Sequence, residues 1–157
     1  MYRFKHGKFK GMTMERSLLR DAPELYRVAR WAKTQDVSHL APLLSEFRRL
    51  RKQLRRAPIL VRCEKRGCNR EPKSMTLPLG ADRDYLPSAH YWCAKHGPLE
   101  NEGISPKLPI SFDTIDSFDD RKNRRALHRV ILRALGIVAP RRTISEKYAR
   151  DYFSRLR

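Results

Sequence analysis

Apolar residues recur every three or four positions in the N-terminal part of the chain, which is the spacing of one buried helix face. This pattern predicts helices over residues 14–20 and 23–34, because Asp21-Ala22-Pro23 interrupts the run. A third helix is predicted over residues 38–56. Its inner row is expected to consist of Leu40, Leu43, Leu44, Phe47, Leu50 and Leu54.

The C-terminal part of the chain carries two more helical patterns. Ser117 is predicted to cap a helix that has Asp119 and Asp120 in its positive first turn. Thr143 and Glu146 have the spacing of a capping box, which predicts the start of a last helix. Its inner side is expected to hold Ile144, Tyr148, Tyr152, Phe153 and Leu156.

The middle of the chain has a different composition. It is rich in Gly, Pro and Cys, with only short β-prone pieces such as Ile59-Leu60-Val61 and His90-Tyr91-Trp92. This composition predicts a loop-rich insert that lacks a large core and needs another source of stability.

The fold class predicted from these patterns is mainly α-helical (small α+β), with a loop-rich insert that needs a stabilising element. Residues 1–57 are expected to form a basic hairpin or loop followed by helices, and residues 58–109 the insert. Residues 110–157 are expected to form a helical pair that packs with residues 14–57.

The stabilising element is predicted from four residues of the insert: Cys63, Cys68, Cys93 and His96. Four residues separate the first pair and two separate the second, so two closely spaced pairs supply the ligands that zinc prefers. Four protein ligands leave no position for an activated water, so we expect one structural Zn²⁺. Two alternatives remain open: His90 as the fourth ligand, and cysteines that are simply buried apolar side chains.

The second pair also resembles a known type of metal site. The sequence Tyr91-Trp92-Cys93-Ala94-Lys95-His96-Gly97 resembles the second knuckle of treble-clef and zinc-ribbon fingers. The first pair is one or two residues wider than the commonest form of these fingers. The resemblance implies a Cys3His finger over residues 63–96.

The excess of basic over acidic residues indicates what kind of partner the protein binds. Lys plus Arg number 35 against 17 Asp plus Glu, a formal net charge of +18. Because this charge is spread along the chain instead of flanking an apolar helix, it favours nucleic acid over a membrane surface. No apolar run long enough to span a membrane is present, and no signal-peptide pattern follows the basic N-terminus. We therefore expect a cytoplasmic protein associated with the nucleoid or a nucleoprotein complex.

Basic residues cluster on two predicted helices. Near the end of the third predicted helix lie Arg48, Arg49, Arg51, Lys52, Arg55 and Arg56. After Ser117, every fourth residue of a segment is an arginine: Arg121, Arg125, Arg129 and Arg133. Arginine favours bidentate phosphate contact, and these faces hold almost no acid, so we expect them to contact nucleic acid. The alternative is an ordinary solvated helix face.

The N-terminal region contains a further motif: His6-Gly7-Lys8-Phe9-Lys10-Gly11, followed by Leu25-Tyr26 and Trp31. Residues 4–34 thereby resemble the small Gly-Lys-aromatic-Lys-Gly module that is appended to exonuclease X-like proteins. The resemblance implies that Lys8 and Lys10 contact nucleic acid while Phe9 and Trp31 pack. The alternative is an ordinary basic turn. Nothing in the chain resembles the acidic catalytic domain of those exonucleases.

These observations predict a zinc-containing, sequence-tolerant DNA- or RNA-binding protein that is not an enzyme. We expect a small basic subunit or accessory of a nucleoprotein complex, serving replication, recombination or RNA-guided defence in a bacterium, phage or mobile element. Other protein subunits are the expected partners. The alternatives are a zinc-dependent nuclease and a ribosome-associated or protein-binding zinc-finger adaptor. Phosphate contacts carry no base information, so the sequence does not separate DNA from RNA.

Overall fold

The computed structural model describes residues 1–35, 37–77, 89–98, 107–118, 120–137 and 143–156 of the chain. The helices in these ranges are α1 (Met14–Thr34), α2 (Ala41–Leu54), α3 (Asp113–Asp116), α4 (Arg121–Ala134) and α5 (Glu146–Arg155). The strands are β1 (Ser74–Thr76), β2 (His90–Trp92) and β3 (Leu108–Pro109), and they form one antiparallel sheet with β1 in the middle. The expected fold class, mainly α-helical with a small β component, is confirmed.

The chain divides into two compact units. The first consists of Met1–Ala57 and Ala139–Arg157, and the second of Pro58–Val138. The first unit therefore holds α1, α2 and α5, and the second holds the sheet with α3 and α4.

Helix α1 contains the interruption that the sequence predicts. Asp21 has φ −154° and ψ 66°, outside the helical region, so two helical segments meet there at a kink. The Asp21 carboxylate accepts a hydrogen bond from the N–H of Glu24 at 3.5 Å, as an N-cap does. Pro23 lies in the first turn of the second segment, where no helical N–H partner is needed.

The core of the first unit forms where the apolar rows of its helices meet. Tyr26 of α1 packs edge-on against Phe47 of α2, with ring centroids 5.1 Å apart and planes at 83°. The segment that leads into α5 is joined to α1 by a polar contact, because Arg16 donates a hydrogen bond from Nε to the Ile144 carbonyl at 2.9 Å. Ile144 is fully buried at this junction.

The predicted start of α4 is wrong. The helix begins at Arg121, and its N-cap is Asp120, whose carboxylate accepts a hydrogen bond from the N–H of Asn123 at 2.9 Å. Ser117 is too far from this turn to cap it, and its hydroxyl donates to the Thr114 carbonyl instead. Asp119 lies outside the described residues.

The predicted capping box of α5 is also wrong. Ser145 is the N-cap and accepts a hydrogen bond from the N–H of Tyr148 at 3.0 Å, so Thr143 lies before the cap position. The Glu146 carboxylate does not turn back onto its own helix. It accepts a hydrogen bond from the N–H of Thr13 at 3.1 Å, a tertiary partner that competes with the local one.

In the second unit, hydrogen bonds join α4 to strand β2 and to the segment around Leu60. Residues 90–92 form β2, as their β-prone composition suggests, but residues 59–61 form no strand. Leu60 donates its N–H to the Ala134 carbonyl of α4 at 2.7 Å, so this backbone pairs with a helix end. Tyr91 is buried and donates its hydroxyl to the Val130 carbonyl at 3.3 Å. These contacts fix the segments that carry the predicted metal ligands.

Candidate metal centre

Two segments of the second unit bring the four predicted ligands together. Cys93 directly follows β2, and His96 closes a turn in which its N–H donates to the Cys93 carbonyl at 3.2 Å. Cys63 and Cys68 lie on a separate loop. A hydrogen bond of 2.8 Å from the N–H of Glu64 to the backbone of β2 holds this loop beside the strand.

The ligand atoms have the separations expected around one metal ion. All four lie within 4.8 Å of one another. His96 Nδ1 is 3.5 Å from Cys63 Sγ and 3.4 Å from Cys93 Sγ, and the sulfurs of Cys68 and Cys93 are 3.9 Å apart. Tetrahedral zinc, with Zn–S of about 2.3 Å and Zn–N of about 2.0 Å, places neighbouring sulfurs about 3.8 Å apart and sulfur about 3.5 Å from nitrogen. The group is therefore compatible with one zinc-type metal site.

The pKa values of the Cys68 and Cys93 thiols shift in opposite directions. Burial raises the pKa of Cys93, but hydrogen bonds from the N–H groups of Lys95 and His96 lower it, and the net shift is downward. At Cys68 the N–H of Arg70 lowers the pKa, whereas burial and the neighbouring thiols raise it, and the net shift is upward. Three thiolates in one site repel one another, so a bound dication is what allows all three to ionise together.

The structure distinguishes between the two candidate histidines. His96 presents its Nδ1 to the sulfurs, whereas His90 is not part of the ligand group. The His90 ring instead stacks with Trp92, with centroids 6.4 Å apart and planes at 29°. Residues two apart on a strand share a face, so His90 and Trp92 lie on the face opposite to Tyr91. The histidine that lies with the three cysteines in the candidate site is therefore His96, not His90.

The N-terminal motif forms a hairpin-like loop that closes with an antiparallel bridge between Arg3 and Thr13. Phe9 is buried, with its ring centroid 5.3 Å from that of Phe4, in line with the implied packing of Phe9. The implied packing of Trp31 is wrong, because its side chain is 54 % exposed. In this turn of α1 it is Ala32 that faces the core.

The two lysines of this loop have different environments. Lys8 is exposed and forms an ion pair with Asp21, the residue at the kink of α1. Lys10 is exposed as well, and no ion pair within the described ranges involves it. Lys8 therefore has a structural partner that the sequence alone did not show.

The predicted basic residues of α2 do not form one uniform face. Arg49 binds Glu46 through two hydrogen bonds of 2.7 and 2.9 Å, which hold the pKa of Glu46 below its usual range despite partial burial. Arg51 lies over the rings of Tyr26 and Phe47, at 5.3 and 5.6 Å from their centroids. Arg55 is exposed.

Three other cations of this region point into solvent. We call them the α2 basic row: Arg48 and Lys52 on the helix, and Arg56 two residues beyond its end. No ion pair formed between described residues includes any of the three.

The predicted arginines of α4 divide in the same way. Arg125 is half-buried, and the exposed members, which we call the α4 basic row, are Arg121, Arg129 and Arg133. The opposite side of the helix is buried and includes Leu127, Val130, Ile131 and Ala134. The row is therefore a solvent-facing stripe on the helix that also anchors the metal-bearing segments.

Sequence reasoning missed three exposed cations on the first ligand loop: Arg62, Lys65 and Arg66. The signal is the position of these residues: Lys65 and Arg66 lie on the tight turn between two closely spaced ligands, and Arg62 directly precedes the first ligand, in a segment with no core to bury them.

No known protein family, curated protein or solved structure matches the chain. The resemblance of residues 4–34 to the module of exonuclease X-like proteins is therefore not confirmed, nor is the resemblance to treble-clef and zinc-ribbon fingers. What the structure supports is the Cys3His group itself. Among the helices of the described ranges, none has the length and apolar character to cross a membrane.

Proposed function

We propose that this protein is a zinc-containing, sequence-tolerant nucleic-acid-binding protein that acts as a basic subunit or accessory of a nucleoprotein complex. The observation that carries the proposal is the exposure of the α2 and α4 basic rows without acidic partners among the described residues. An ordinary solvated helix face mixes the two signs of charge and forms ion pairs within itself. These rows do neither.

The contrast within α2 supports the proposal. Arg49 forms an ion pair with the Glu46 carboxylate, which lies one turn earlier on the same helix. The α2 basic row receives none, although the net charge of +18 makes unpaired cations costly through mutual repulsion. A polyanion such as a phosphate backbone relieves this repulsion, and it binds with release of counterions.

The metal group supports a binding role over a catalytic one. The three thiols and one imidazole that lie together would fill the tetrahedral shell of a zinc ion and leave no open position for water. No other group of three or more metal-ligand side chains lies close together in the described part of the chain. A zinc-dependent nuclease needs an open coordination position, so we propose that the protein binds without cleaving.

The proposal is tested by fluorescence anisotropy with labelled single-stranded DNA, duplex DNA and single-stranded RNA of unrelated sequences. We expect binding to all sequences of one strand type with similar affinity, and a steep loss of affinity between about 50 and 200 mM salt. Replacing the α2 basic row by glutamine should lower the slope of log affinity against log salt by about 0.7 to 0.9 for each phosphate-binding cation that is removed. The α4 basic row is replaced in a second variant.

The matched control removes the same amount of charge elsewhere. Lys147, Arg150 and Arg155 are exposed on α5 together with Asp151, so this face mixes the two signs of charge as an ordinary solvated face does. Replacement of the three cations by glutamine should leave the salt slope near that of the wild type. Absence of binding by the wild-type protein would refute the proposal. So would salt slopes in both row variants that equal the slope of this α5 control.

A further inference from the structure

An open cleft of about 470 Å³ lies beside the first pair of metal ligands, lined by residues 61–69 and Tyr91. Its volume falls in the range of sites that hold a small molecule or one repeat of a polymer. The cleft belongs entirely to the second unit and is formed by the loop that carries Cys63 and Cys68.

The lining of this cleft is strongly cationic. Arg62, Lys65 and Arg66 are all exposed on its wall, and no ion pair within the described part of the chain involves them. Glu64 is the one acidic residue of the lining. Asn69 adds a neutral amide that both donates and accepts hydrogen bonds. Such a surface fits an anion with several oxygen acceptors.

The cations are held on a constrained backbone. The N–H of Cys68 donates to the Lys65 carbonyl at 2.9 Å, which closes a four-residue turn. Gly67 takes the left-handed conformation in this turn, with φ +76°. A metal ion bound by Cys63 and Cys68 would hold the two ends of the loop and order it before a ligand arrives. Little further conformational entropy is then lost when a ligand binds.

We infer that this cleft, which we call the knuckle cleft, is a phosphate-contacting site for a nucleic-acid strand. The inference rests on the proposed function and deepens it, because it adds a contact site outside the two helical rows and ties that site to the metal. Arg62 and Arg66 offer planar forks that bind phosphate oxygens bidentately, and Lys65 adds a compact charge. Contacts between these groups and phosphate oxygens carry no base information, so the contact is sequence-tolerant.

The inference is tested with a knuckle variant in which Arg62, Lys65 and Arg66 are replaced by glutamine. Each of these side chains is exposed, and the ligands are untouched, so the variant should keep its zinc, as elemental analysis will show. We expect its salt slope for a labelled single strand to fall by about 2 to 3 relative to the wild type. The α5 variant, with the same loss of charge, is the control.

A second arm couples the cleft to the metal. Stripping zinc with a chelator should weaken binding by the wild-type protein more than binding by the knuckle variant, because the metal orders cations that the variant no longer has. This non-additivity is a readout that a merely solubilising role for the three cations would not produce.

The outcomes separate the inference from the proposed function. If the wild-type protein binds no nucleic acid, the proposed function fails and the inference falls with it. If the wild type binds but the knuckle variant and the α5 control have the same salt slope, only the inference is overturned. Competition by polyglutamate, at the charge concentration of the oligonucleotide, that is seen with the wild type and lost in the knuckle variant would also overturn it, since the cleft would then be a site for acidic protein.

Discussion

Replacing His96 by alanine should remove zinc from the protein, whereas replacing His90 by alanine should not. His96 Nδ1 lies within 3.5 Å of two of the three cysteine sulfurs, while the His90 ring stacks on Trp92. A cysteine at position 96 restores a four-ligand thiolate site, so His96→Cys should retain zinc. Elemental analysis of freshly purified protein should give one zinc per chain for the wild type, His90→Ala and His96→Cys.

The expected effect of metal loss on stability follows from the size of the second unit. A unit of about 80 residues has a free energy of unfolding of roughly 4 to 12 kcal/mol. A structural zinc site contributes about 10 kcal/mol or more of apparent binding free energy, which is comparable to that whole amount. Loss of the metal should therefore unfold the ligand loops, and partial tolerance is not expected.

Hydrogen–deuterium exchange can follow this unfolding at particular amides. The N–H groups of Glu64, Cys68, Lys73 and His96 are all hydrogen-bonded within the ligand segments and the sheet. In His96→Ala and in Cys63→Ser they should lose protection, while amides within α1 keep theirs. A wild-type protein free of zinc, or a zinc-free variant with unchanged protection at these amides, would refute the reasoning.

Two further predictions concern the first unit. Burial raises the pKa of Glu146, but hydrogen bonding to Thr13 and the nearby charges of Arg3 and Arg16 lower it, and the net shift is downward. Glu146 therefore stabilises the fold above its unfolded-state pKa and ceases to do so as pH falls through the folded-state value. Glu146→Gln should therefore lower the free energy of unfolding by about 1 kcal/mol at pH 7 and by much less in acid. Urea unfolding at the two pH values measures this, and an equal loss at both would contradict the prediction. Phe47→Ala should cost about 3 to 5 kcal/mol because the ring is 2 % exposed. Trp31→Ala should cost less than about 0.5 kcal/mol, and thermal unfolding with equal losses in the two variants would show that the burial pattern is wrong.

Much of the helical architecture is predictable because it depends on the spacing of apolar residues three or four positions apart. The apolar row of α2 predicts the helix, and most of that row is buried. The break at Asp21 is predictable from the proline that follows two residues later. The metal ligands are predictable from residue type and spacing, since Cys63, Cys68 and Cys93 fall in the one segment without an amphipathic helix.

Strands β1 and β3 escaped prediction because two or three residues are too few to show a period. Each exists through its pairing with a distant segment: Met75 lies opposite Tyr91 in β2 and opposite Leu108 in β3. The cap of α4 escaped for a related reason. Several polar residues precede the helix, and only the backbone path decides that Asp120 reaches the N–H of Asn123.

By itself, the sequence determined the helical periods, the chemistry of the ligand set and the excess of positive charge. The tertiary structure decided which side chains meet and which are buried. His96, not His90, lies with the three cysteines, Glu146 accepts a hydrogen bond from Thr13, and the Trp31 side chain is exposed. The physical reason is range: a helical period involves neighbours three or four residues apart, whereas a fourth ligand or an ion pair depends on where distant parts of the chain meet.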